Sequence, residues 1–76
     1  MEKQLSFSVE VHEEELEGER VFVADCIELG ISDFGGSMED ALNNLKDGIK
    51  LLLEEYPEKR KLLEKENPSF VTRVFL

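Results

Sequence analysis

The chain has 76 residues, a single cysteine and a formal net charge of −9 at pH 7. A domain this short buries only about 60–65% of its unfolded surface, and one cysteine excludes an internal disulfide as compensation. Self-association or docking onto another protein is therefore expected to supplement its stability. The acidic balance sets nucleic acid and anionic membrane surfaces aside as direct partners, because both are gripped through lysine and arginine. It either steers a basic protein towards the chain or simply keeps a small protein in solution. No apolar run approaches the roughly 20 residues of a membrane span, and Met1-Glu2-Lys3-Gln4 lacks the apolar core of a signal peptide. The expectation is one cytoplasmic domain over residues 1–76.

In chain order, Leu5, Phe7, Val9 and Val11 alternate with Gln4, Ser6, Ser8, Glu10 and His12, the period of a half-buried strand. Residues 13–19 are acidic and contain Gly18, so they read as a hairpin loop. A second strand follows over 20–24, with Val21 and Val23 on one face and Phe22 and Ala24 on the other. A turn at 25–28 leads to a third strand over 29–34. Gly35 and Gly36 then free the backbone to turn sharply.

The turn opens the one long helix. Met38, Ala41, Leu42, Leu45, Ile49, Leu52 and Tyr56 recur every three or four residues, which places them on one face. Ser37 is its N-cap, with Asp40 three residues on, and Glu39 and Asp40 sit where the helix dipole favours negative charge. Pro57 ends it. Gly48 inside the helix costs roughly 1 kcal/mol relative to alanine, and either a close backbone neighbour or an exposed position accounts for it.

Residues 58–66 are expected to form a short second helix with Pro57 at its first position. Residues 70–76 are expected to form a last strand, their alternation placing Phe70, Thr72, Val74 and Leu76 on one face and Val71, Arg73 and Phe75 on the other. The predicted architecture is α+β, a β-β-β-α-β chain with one long helix packed on an antiparallel sheet. One helix covers one face. Phe22, Phe34, Val71 and Phe75 cannot all lie beneath it, so apolar area is left for an interface on the open face or an edge.

A family resemblance is carried by Asp25-Cys26-Ile27-Glu28-Leu29-Gly30, by Gly35 five residues later, and by the helix start running from Ser37 through Glu39-Asp40-Ala41-Leu42 to Leu45. This run resembles the HicB-like antitoxin family, whose strand ends in a Pro-containing Leu-Gly turn before a glycine step and an acidic Ala-Leu helix start. The likeness spans about residues 21–53, and Ile27 stands where the family has proline. It implies a partial ribonuclease H-like core that forms homodimers or higher homo-oligomers. It also implies a small basic partner, a toxin that cleaves messenger RNA and is neutralised when its active surface is covered. Many members carry a DNA-binding domain after this core; here a stand-alone core without one is expected.

Among candidate sites, His12 before Glu13, Glu14 and Glu15 invites a zinc reading. The HExxH spacing, however, needs a histidine where Leu16 stands. Cys26 has no basic pair beside it to depress its pKa and reads as a small buried side chain. Gly35-Gly36-Ser37 opens a helix as an anion-binding turn does, but it lacks the Walker lysine and is crowded by Asp33, Glu39 and Asp40. With Gly30 these residues are assigned to a structural turn and cap. Asp25, Glu28, Asp33 and Asp40 do not make a convergent metal site by spacing. Lys59, Arg60, Lys61 and Lys65 read as a solvated helix face.

No catalytic, cofactor or metal residue is therefore assigned, and no enzyme activity is expected. The residues expected to meet a basic partner are Glu13, Glu14, Glu15, Glu17, Glu54 and Glu55. The alternative is a self-contained homo-oligomeric structural or regulatory domain without a toxin partner.

Overall fold

A computed structural model describes residues 5–64. Three strands, β1 (Val9–Leu16), β2 (Glu19–Cys26) and β3 (Ile31–Gly35), precede the helix α1 (Met38–Glu55) and a 3-10 helix (Pro57–Leu62). The strands form an antiparallel sheet in the order β1-β2-β3, a meander with α1 laid against one side. The fold is α+β. The strand expected over 70–76 lies outside the described residues, as does Lys65.

The main correction concerns residues 13–19, expected to be a loop. Glu13, Glu14, Glu15 and Leu16 instead continue β1, paired with Phe22, Val21, Arg20 and Glu19. Every residue from Glu13 to Arg20 is exposed, so this half of the hairpin is a ribbon solvated on both faces. Such a strand has no need of apolar alternation, and alternation is the signal by which strands are read. The reversal takes only Glu17 and Gly18, at φ 50° and 82°, the left-handed pair that suits the twist of a two-residue hairpin.

The other boundaries shift by a few residues. Leu5 to Ser8 run beside the sheet rather than in it: Leu5 bridges Glu64, and the Ser6 N–H donates to the Leu63 carbonyl at 2.9 Å. The Ser8 N–H donates to both carboxylate oxygens of Glu28, at 2.8 and 3.0 Å. β2 extends to Cys26, and β3 starts at Ile31 because Leu29 and Gly30 belong to the turn. Gly30 is left-handed there, at φ 66°, and its N–H closes onto the Cys26 carbonyl at 2.9 Å.

The entry to α1 follows the cap chemistry in its sequence. Ser37 is extended, its hydroxyl accepts from the Asp40 N–H at 3.1 Å, and Glu39 and Asp40 occupy the first turn. Gly35 is required by space. A Cβ there would stand 2.6 Å from the Ala41 nitrogen and 2.7 Å from the Asp40 Cβ, distances that real side chains do not adopt. At Gly48 a Cβ would meet nothing within 4 Å, so among the described residues no close backbone neighbour explains that glycine. Pro57 does open the next segment, but as a 3-10 helix ending at Leu62.

The core is small. Ala24 and Cys26 from β2, Ala41, Leu45 and Ile49 from α1, and Leu63 are buried, with Leu5, Phe7, Val9, Val11, Phe22, Leu29, Ile31, Leu42 and Leu53 packed around them. Alanine and cysteine on the central strand facing Ala41 let the helix approach closely, so Leu45 and Ile49 lose nearly all contact with water. No polar or charged residue is buried among the described residues.

Candidate functional site

Residues directly paired across an antiparallel ladder share a face, so the registers define both sides of the sheet. Val9, Val11, Phe22, Ala24, Cys26 and Ile31 face α1. The other side carries rows drawn from three strands. One row is His12, Val23 and Phe34; the next is Glu10, Asp25 and Ser32; Glu14 lies opposite Val21. None of the described helices covers this side, and Phe34 is 57% exposed there. Uncovered by any described element, this face has an apolar patch of Val21, Val23 and Phe34 with acid alongside it.

A polar chain crosses the same face. The Ser32 hydroxyl donates to Asp25 Oδ1. Asp25 Oδ2 lies 3.3 Å from Nδ1 of His12, and Glu14 Oε1 lies 2.9 Å from its Nε2. Both ring nitrogens therefore face a carboxylate. The hydrogen bond is to Glu14; Asp25 acts on the ring through its charge, and both favour the imidazolium. The hydrogen bond to Glu14 raises the His12 pKa above its ordinary value of 6.5; desolvation opposes this, and the charges of Asp25, Glu14 and Glu10 add to it.

No local pattern announces this grouping. His12, Asp25 and Ser32 come from three strands, and only the ladder register brings them together. Neither is the chain a Ser-His-Asp arrangement for nucleophilic catalysis, because here the serine bonds the aspartate rather than the histidine.

The edge of β3 is blunted at the same residue. The Phe34 N–H donates to Asp33 Oδ1, and its carbonyl accepts from Asn44 Nδ2 of α1, each at 2.8 Å. Side chains of the same chain thus occupy the backbone groups that another strand would need at Phe34.

The acidic residues assigned from sequence separate into three groups. Glu14 lies on the uncovered face. Glu13 and Glu15 point to the opposite side of the ribbon, where Glu13 is 3.5 Å from Arg20, and Glu17 is in the turn. Glu54 and Glu55 occupy the last turn of α1, which has no basic residue and where the dipole disfavours negative charge. The helix runs back from Gly35 towards Leu63, so this pair sits away from the hairpin tip.

The remaining carboxylates have separate local partners. Asp25 meets Ser32 and His12, Glu28 holds the Ser8 N–H, Asp33 holds the Phe34 N–H, and Asp40 begins α1. Among the described residues no group of three or more histidine, cysteine, aspartate or glutamate side chains is arranged to hold a metal. Cys26 is buried, and burial pushes its thiol pKa up, which disfavours the nucleophilic thiolate.

No family model matches this chain, and no curated protein or solved structure matches it.

Proposed function

We propose that the chain is an antitoxin-like protein-binding module that neutralises a small basic, RNA-cleaving protein by covering its active surface. The observation that carries this reading is a sheet face that no described element covers, with Phe34 57% exposed on it, on a chain of net charge −9. An exposed apolar centre supplies affinity once it is desolvated, and the surrounding acid steers and selects a cationic partner. The likeness of residues 21–53 to HicB-like antitoxins points the same way. Occlusion requires contact but no chemistry from this chain.

The test is capture from the native cell extract at low and high salt, with captured chains weighed by mass spectrometry and then assayed on RNA. The expected result is a small basic protein in stoichiometric amount, captured faster at low salt, whose RNA cleavage falls as this chain is added. Recovery of the bait alone, as a stable homo-oligomer at both salt levels, would overturn the reading in favour of a self-contained domain.

A further inference from the structure

From the register and the charge distribution we infer that the basic partner docks on the uncovered sheet face itself, seating an apolar side chain against Phe34, Val23 and Val21 and placing its cations on Glu14 and Asp25. Docking of this kind displaces the proton held by His12. This rests on the preceding reading that the partner is basic, and it names the surface and a linkage that the reading leaves open.

Charge complementarity decides the occupant. Among the described residues, the charged groups facing His12 are Glu10 and Glu14 from its own strand and Asp25 from β2; β3 presents Ser32 and Phe34, and Asp33 lies on the other side of the sheet. A second copy docked face to face would bring the carboxylates of both copies together in a desolvated interface, where like charges are costly. A partner with an apolar residue among lysines or arginines has the opposite fit.

The linkage follows from the geometry. His12 is held between Glu14 and Asp25, at 2.9 and 3.3 Å. A lysine or arginine that takes over these carboxylates leaves the imidazolium with fewer acceptors and a new positive neighbour. The imidazolium then holds its proton less tightly and gives up part of it to solvent at pH values between its bound and free titration midpoints. Binding that releases a proton tightens as pH rises, so a basic partner is held more firmly above the His12 titration than below it.

His12 is the only histidine in the sequence, so its ring signals report on this face without ambiguity. The experiment is an NMR titration of the isotope-labelled full chain with two probes: an oligolysine, and a lysine-rich peptide of the same length carrying two leucines. The leucine-containing peptide is expected to bind more tightly, to shift the amides of Val21, Val23 and Phe34, and to lower the His12 titration midpoint. Its affinity is expected to rise with pH across that midpoint. Phe34→Ser is expected to weaken it about tenfold or more. Leu51→Ser, which removes a 64% exposed leucine from the outer side of α1, is expected to leave binding unchanged.

Shifts confined to the hairpin tip or to Glu54 and Glu55, with the His12 titration unmoved, would overturn this surface while leaving the basic-partner reading intact. Absence of peptide binding at low salt would also overturn the surface; capture and RNA cleavage judge the partner separately. Concentration-dependent self-association abolished by Phe34→Ser would assign the face to a second copy instead.

Discussion

On the helix side of β2, Ala24 and Cys26 are 0% and 2% exposed; on the other side of that strand Val23 is only half-buried, and beside it Phe34 of β3 stands mostly in water. The two faces are written by the same alternating residues, yet the smaller side chains are the buried ones. Close packing explains the inversion. A helix reaches a sheet where the central strand offers little bulk, and the small residues opposite Ala41 make that approach possible. Val23 and Phe34 are left on the far side, where Phe34 contributes little to the isolated chain and remains available to a partner.

The largest expected effect tests this contrast directly. Leu45→Ala removes a side chain that is 1% exposed and is expected to cost about 2–5 kcal/mol, a large share of the stability of so small a domain. Phe34→Ser is expected to stay within about 0.5 kcal/mol, as surface substitutions usually do. Urea midpoints of the two variants measure the difference. Equal losses would mean that Phe34 is covered in solution and that the faces are not distinct.

Two glycines sharpen the same comparison with opposite signs. Gly35→Ala forces a Cβ against the Ala41 nitrogen and the Asp40 side chain, at the point where sheet becomes helix. It is expected to destabilise by about 1–3 kcal/mol, as overpacking does. Gly48→Ala projects into open space and is expected to stabilise by up to about 1 kcal/mol through helix propensity. Thermal melts of both variants check the signs. A destabilising Gly48→Ala would show that something packs against that part of α1.

The smallest effect belongs to the uncovered face and depends on pH. The folded chain raises the His12 pKa from its ordinary 6.5, chiefly through Glu14. Protonated His12 therefore adds stability that is complete below about pH 6.5. This contribution is lost as pH climbs through the raised folded value. The group is exposed, so the effect is small and weakens with salt. His12→Gln is expected to flatten stability against pH across this window. An unchanged slope would place the titrating group elsewhere.

The amino-acid sequence by itself determined the local elements with strong physical signals. The Ser37 cap and the period from Met38 to Tyr56 are contacts within a few residues of one another, and α1 appears with the expected limits, Met38–Glu55. The alternation of Val21 and Val23 against Phe22 and Ala24 also separated the two faces of β2 correctly. The strand through Glu13 to Leu16 was not legible, because a ribbon bathed on both sides shows no hydrophobic period. The turn at Glu17 and Gly18 could be placed only once the ladder was known. Tertiary structure alone decided which face α1 covers, that Glu14 parts from Glu13 and Glu15, and that Ser32, Asp25, His12 and Glu14 form one polar chain. Those relations depend on register between strands, where a shift of one residue exchanges the faces.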